Sequence, residues 1–336
     1  VPQHRTRFNL LQALRFFAAL NVVILHSGYY IKVNGNRSEA FLLLFNERVL
    51  GYSVFLFFAI SGFVLMPTLE RSTTTQFLVQ RFLRIYPAFW GATCLFAAAH
   101  FVIFKEPIAL DWRSLILLPL GVLPYPLGVE WSLIYEIFFY LMLAALSLLR
   151  SRLLFNLALA FWGLIILVGY FTVGSLLTQP LPTWNIIPFS LMNLSFIAGI
   201  VSYQLYSYII PYRWLLLPVS LVSLCIARFS SDPLLVFSGL AIGCGSLVTF
   251  AAAQATVRDL SAKSFLVKLG NYSYGTYLLH VPVLLLIIKL STPRVSTWIL
   301  SVLCIILALL VGAIFGWIEL RLYQKTKHFI TAKKRD

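Results

Sequence analysis

The stretch whose reading decides the fold is "LRFFAALNVVILHSG", residues 14–28. Between Arg15 and His26 stand ten residues, and Asn21 alone among them is polar. A membrane-spanning helix needs about 20 predominantly apolar residues, and the run 9–28 supplies them. An ionisable side chain within a bilayer costs at least about 2.5–3.5 kcal/mol on insertion scales, so Arg15 and His26 each need a partner or a task. Eleven residues advance a helix by about 1,100°, roughly 20° past three turns, and by about 16 Å along its axis. The two side chains therefore leave this helix on nearly the same side, at different depths.

The remainder of the chain repeats the first run's character. Of 336 residues, 60% are hydrophobic and 11% charged, with a mean hydropathy of +0.89. A soluble domain carries about 25% charged residues. The composition predicts an all-α, polytopic transmembrane helical bundle forming a single domain. About ten spans are expected, roughly at 9–28, 50–68, 86–104, 127–149, 153–175, 187–209, 214–229, 233–255, 271–291 and 295–319. The apolar stretch "LILLPLGVLPYPLG" (115–128) is broken by three prolines and two glycines, and is expected as a re-entrant or surface-lying loop. The first run lacks a small-residue cleavage site and reads as a retained helix, not a signal peptide.

With ten spans, Lys32, Arg37, Arg48, Lys105, Arg113, Arg228 and Arg294 fall on one side. All other Lys and Arg outside the spans, among them Arg5, Arg7, Lys333, Lys334 and Arg335, fall on the side of the termini. The positive-inside rule then places both termini in the cytoplasm. Orientation accounts for the net charge of +15 better than a nucleic-acid partner does, since no basic stripe interleaves with aromatics. Cys94, Cys225, Cys244 and Cys304 lie in apolar spans without metal-ligand spacing. They read as ordinary buried cysteines, and no metal is expected.

Polar residues within the spans gather in few places. "GVEWSLIYEIFFY" (128–140) sets Ser132, Glu136 and Tyr140 at i, i+4 and i+8, a stripe along one helix face. Glu136 falls at about the depth of His26. A carboxylate there would orient the imidazole as a general base, whereas the plainer reading pairs Glu136 with an Arg or Tyr. Trp131 and Tyr135 offer aromatic stacking surface or form an aromatic belt, and Tyr140 reads as belt. "QRFLRIYPAFW" (80–90) is expected as a cytoplasmic loop entering the third span. There Arg81 and Arg84 share a side and suit phosphates, or serve as plain anchoring charges. "LGNYSYGTYLLHVP" (269–282) lets Ser273, Tyr277 and His280 face one cavity, or His280 simply bonds across the bundle. His100, Glu130, Lys289 and Glu319 complete the ionisable set without an assigned task.

Taken together, these motifs resemble the integral-membrane acyltransferase-3 family of sugar and cell-envelope acyltransferases. The resemblance rests on Arg15-x10-His26, "FLFFAISGFVL" (55–65) with Ser61, "RFLRIYP" (81–87), "WSLIYEIFFY" (131–140), "FIAG" (196–199) and "SYGTYLLHVP" (273–282), in that order along the whole chain. It implies transfer of an acyl group, most commonly acetyl from acetyl-CoA, to a hydroxyl of a carbohydrate or glycolipid at the bacterial cytoplasmic (inner) membrane. Acyl-CoA is then a co-substrate, and no tightly bound cofactor is expected. In that reading His26 and Glu136 carry the chemistry, and Arg15, Arg81 and Arg84 hold the donor. Ser61, Trp131, Ser132, Tyr135, Tyr277 and His280 support the acceptor or the base. The chain is expected to act without the fused extracytoplasmic hydrolase-like domain of some relatives. It departs from the family where "WIELRLYQ" (317–324) lacks a proline after Glu319, which leaves that residue's role open. A secondary transporter of a small anionic or sugar-like solute uses similar buried charges, and a non-catalytic scaffold needs none of them together. Lipopolysaccharide, exopolysaccharide, glycolipid and secondary-metabolite sugars all remain open as acceptors.

Overall fold

A computed structural model describes residues 8–35, 47–174, 178–292 and 294–332. Arg5, Arg7, Arg37, Lys333, Lys334 and Arg335, which enter the charge count above, lie outside the described residues. The described chain is helical apart from turns and an isolated bridge between Leu120 and Thr183. Its helices are α1 (Asn9–Gly35), α2 (Glu47–Gly51), α3 (Ser53–Glu70), α4 (Thr74–Phe104), α5 (Glu130–Ser147) and α6 (Arg152–Val173). After these come α7 (Asn193–Leu205), α8 (Leu216–Phe229), α9 (Pro233–Val257), α10 (Phe265–Leu290) and α11 (Thr297–Ala332). Among the described residues, nine helical segments are long and apolar enough to cross a membrane. This is a polytopic helical bundle.

Three elements differ from the sequence expectation. The span expected at 187–209 is a 3-10 turn (Ile187–Phe189) followed by the 13-residue α7, shorter than the roughly 20 residues a bilayer requires. The segment 80–90, expected as a loop, lies inside α4. A capping box starts that helix early: the Thr73 hydroxyl accepts the Gln76 N–H while the Gln76 side chain accepts the Thr73 N–H. Pro87 lies within α4, as it does within the expected span 86–104, although proline disfavours helix in the residue before it. Finally, α11 has 36 residues, about 54 Å of helix, and extends past the bilayer thickness.

Burial separates central from peripheral helices. In α5 and α10, 61% of the span is buried, against 17% in α6 and in the segment ending with α8. The peripheral helices present Leu153, Phe161, Phe171, Leu221 and Phe229 outward, apolar side chains suited to lipid. Cys94 and Cys225 are exposed on such surfaces, contrary to the expectation that all four cysteines are buried. The core behind α5 is aromatic, with Phe139 stacked on Phe196 at 4.0 Å and Phe58 edge-on to Phe139 at 5.1 Å.

Two close backbone approaches set the positions of the central helices. A Cβ on Gly199 would stand 2.0 Å from the Ala59 carbonyl oxygen, and one on Gly62 would stand 2.2 Å from that of Phe196. The "SGF" and "FIAG" motifs are thus the two halves of one small-residue crossing between α3 and α7. Likewise a Cβ on Gly270 would meet the Gln12 carbonyl oxygen at 1.8 Å, so α10 lies directly on α1. The start of α1 is held by Asp259, whose two carboxylate oxygens accept the N–H groups of Asn9 and Leu10 at 3.0 Å each.

The stretch 115–128 makes no helix beyond the 3-10 turn Trp112–Ile116 and packs back on the bundle. Tyr86 and Trp90 of α4 donate to the carbonyls of Ile116 and Leu115. Beside this turn, hydrogen bonds from Arg113 hold the Asp111 carboxyl below its usual pKa. At the far end the buried Glu130 carboxylate accepts the N–H groups of Leu127 (2.7 Å) and Val129 (2.9 Å), fixing the entry to α5.

Candidate active site

The polar faces of α1, α3, α4, α5 and α10 converge on a cavity of about 120 Å³. Its wall contains Arg15, Ser61, Arg81, Arg84, Ser132, Glu136, Tyr140, Ser273, Tyr274 and Tyr277. All three members of the i, i+4, i+8 stripe on α5 are present. Arg81 and Arg84 do share a side, by virtue of the α4 helix. The Nε atoms of Arg15 and Arg81 are buried without a hydrogen-bond partner among the described residues. Arg81 lies over the rings of Phe77 and Tyr140, and Arg84 pairs with Glu319 from α11. Three guanidinium groups thus face the Glu136 and Glu319 carboxylates, leaving one cation in excess among these residues. That excess favours an anion.

The histidines occupy a neighbouring site rather than the cavity wall. His26 Nδ1 lies 2.7 Å from His280 Nε2, and the two rings are parallel to within 1°. His280 Nδ1 faces the carbonyl oxygens of Tyr277 (2.7 Å) and Thr276 (3.2 Å), so it must carry a proton. With both rings neutral, His280 Nε2 is then an acceptor and His26 Nδ1–H the donor. The lone pair of His26 falls on Nε2, the tautomer a general base requires. Tyr277 joins the two sites, since its hydroxyl contacts Ser132 Oγ at 2.5 Å in the cavity wall and its carbonyl accepts the hydrogen bond of His280 Nδ1–H.

This arrangement corrects several expectations. The hydrogen-bond partner of His26 is His280, while Glu136 accepts from the Tyr140 hydroxyl and lies among the arginines. Ser273 and Tyr277 share a cavity, but His280 turns to α1. Tyr140 is buried on the cavity wall and is no interfacial belt. Tyr135 offers no open stacking face, for it is fully buried against Phe58 and bonded to Ser190 Oγ at 2.7 Å. Trp131 is half-buried, with its ring edge-on to Phe58. Sequence spacing missed Tyr274, which lines the cavity beneath the Arg84 guanidinium at 5.0 Å. The available signal was the run of tyrosines at 272, 274 and 277 on α10.

A family model described as Acyltransferase domain, that of the acyltransferase-3 family, matches residues 8–317. The chain belongs to the acyltransferase-3 family. The match runs from the start of α1 to within α11, so it includes every cavity residue named above. No curated protein and no solved structure matches the chain. Family and helices together make it a multi-pass membrane acyltransferase.

Proposed function

We propose that this acyltransferase moves an acyl group, acetyl in the first instance, from cytoplasmic acyl-CoA to a hydroxyl of a carbohydrate or glycolipid acceptor. The observation that carries the reading is the His26 Nδ1–His280 Nε2 contact, which leaves His26 Nε2 without a hydrogen-bond partner among the described residues, on the same helix as a cation of the arginine-lined cavity. Arg15, Arg81 and Arg84 would hold donor phosphates through charge-assisted hydrogen bonds. Both termini then face the cytoplasm of a bacterial inner membrane, which puts Arg15 about 16 Å nearer that side than His26.

In the chemical step, His26 Nε2 takes the proton of the acceptor hydroxyl as its oxygen attacks the thioester carbonyl carbon. A C–O bond forms, the C–S bond breaks, and the electron pair leaves on sulfur. The CoA thiolate then recovers the proton from His26. His280 holds the imidazole throughout and disperses its charge while it is protonated. Glu136 serves as a counter-charge for the arginines. Membranes containing the chain, supplied with radiolabelled acetyl-CoA, are expected to label a glycan or glycolipid fraction, and His26→Ala is expected to abolish that labelling. Full transfer by His26→Ala would overturn the reading.

A further inference from the structure

Tyr30 is a polar residue beside His26 that the reaction leaves without a task. It stands four residues further along α1, so both side chains leave the helix on one face. The Tyr30 ring meets the His26 ring edge-on, with centroids 5.9 Å apart. The Tyr30 hydroxyl has no hydrogen-bond partner among the described residues, and neither has His26 Nε2. Both side chains are half-buried, and neither atom is among the fully buried polar atoms that lack a partner, so both open onto accessible space. Gly128 leaves room for the phenol. A Cβ there, at φ +73°, would stand 3.1 Å from the Tyr30 oxygen and 3.3 Å from Val281 Cγ1. Val281 follows His280, so the Tyr30 hydroxyl and the histidine pair lie where α1, α10 and the entry to α5 meet.

A ring nitrogen that takes a proton, beside a phenol that donates a hydrogen bond, matches a ligand with two neighbouring oxygens. With both imidazoles neutral, the free polar groups here carry no charge. The Glu130 carboxylate, two residues past Gly128, is already engaged by the N–H groups of Leu127 and Val129. The junction therefore suits a neutral polyhydroxy compound, in contrast to the arginine-lined cavity that suits an anion. Depth separates the two substrates as well. Along α1, Tyr30 lies about 22 Å from Arg15 and about 6 Å beyond His26, on the side away from the donor arginines. We propose that Tyr30 is a specificity-determining residue for the acceptor. Its O–H donates to the oxygen next to the hydroxyl that His26 deprotonates, so a sugar with two neighbouring oxygens is preferred to a lone alcohol or water. This assignment rests on the acyl-transfer reading above.

The test uses the chain in lipid nanodiscs with radiolabelled acetyl-CoA and graded amounts of the membrane glycan and glycolipid fraction. Label in that fraction and release of free CoA are followed together. Tyr30→Phe removes only the phenol oxygen. The apparent KM for the acceptor fraction is expected to rise about tenfold, the effect of one hydrogen bond. KM for acetyl-CoA and the thermal unfolding midpoint are expected to stay as they were, and more of the released CoA is expected to be matched by hydrolysis instead of label. An unchanged acceptor KM in Tyr30→Phe would overturn the assignment. So would a loss of kcat alone, which would place Tyr30 at the thioester, or a parallel rise in both KM values, which would make it structural. If the unmodified chain labels no acceptor, the acyl-transfer reading falls and takes the assignment with it.

Discussion

His26 Nδ1 stands 2.7 Å from His280 Nε2, and two backbone carbonyls at His280 Nδ1 determine which ring donates. His280 is thus a positioning residue that presents His26 Nε2 in its basic form. His280→Ala removes the acceptor and frees the imidazole to turn or change tautomer. The expected outcome is a fall in kcat of about 10²-fold, with KM for the acyl donor nearly unchanged, since the donor arginines are untouched. His280→Gln, which can still offer an amide oxygen to Nδ1–H, is expected to recover part of the loss. Steady-state kinetics on both variants decide it: a proportional change in KM, or no recovery by Gln, would point to general damage of the α1–α10 contact.

Glu136 offers a sharper contrast, because two roles predict opposite kinetics. Its carboxylate lies with Arg15, Arg81 and Arg84 in the cavity wall and accepts from Tyr140. Glu136→Gln keeps an acceptor for Tyr140 and raises the cationic excess of the cavity. The expected result is tighter donor binding, a KM lowered several-fold, and kcat within about tenfold of the original. A collapse of kcat by 10²-fold or more with unchanged KM would return Glu136 to the chemistry beside His26.

The composition and apolar runs made the helical bundle legible, and the same-side geometry of Arg15 and His26 followed from helix periodicity alone. The α5 stripe was legible for the same reason, since residues four apart share a face whatever the neighbours do. The partners across helices were not. His26 finds His280 because Gly270 lets α10 lie on α1 at backbone contact, a relation between residues more than 250 positions apart that no local period encodes. Depth matching suggested Glu136 because depth is one coordinate only, and the azimuth of α5 around the bundle is set by packing. The reach of α4 back through 80–90 rests on the capping box at Thr73 and Gln76, well upstream of the apolar run that marked the span. Arg84 with Glu319 shows the same limit: Glu319 was recognisable as costly in lipid and Arg84 as a phosphate-binding or anchoring charge, but neither as the other's partner.

Asp259 supplies a prediction on stability rather than chemistry. It accepts two N–H groups at the start of α1 from the connection between α9 and α10, and so fixes where the helix bearing Arg15 and His26 begins. Asp259→Ala is expected to cost about 1 kcal/mol, as for loss of an N-cap side chain. Asp259→Asn, with a single acceptor oxygen, is expected to cost less. Thermal unfolding in a fixed detergent would resolve the order Asp, Asn, Ala. An unchanged midpoint for Asp259→Ala would mean that other contacts suffice to hold the end of α1.

A pair of glycine substitutions tests the crossing that joins the "SGF" and "FIAG" motifs. At Gly199 an added Cβ meets the Ala59 carbonyl oxygen at 2.0 Å and its carbonyl carbon at 2.8 Å, all backbone, so no side-chain rotation can relieve the clash. Gly199→Ala is expected to force α3 and α7 apart, at or above the roughly 1–3 kcal/mol typical of overpacking. Gly163, in α6, has nothing within 4 Å of the same added atom. There the change to Ala only improves helix propensity, and a gain of up to about 1 kcal/mol is expected. Because Ser61 and Arg15 share the cavity that α3 helps to wall, Gly199→Ala should also weaken donor binding, and Gly163→Ala should not. Equal unfolding midpoints for the two variants would show that α3 and α7 do not meet at these glycines.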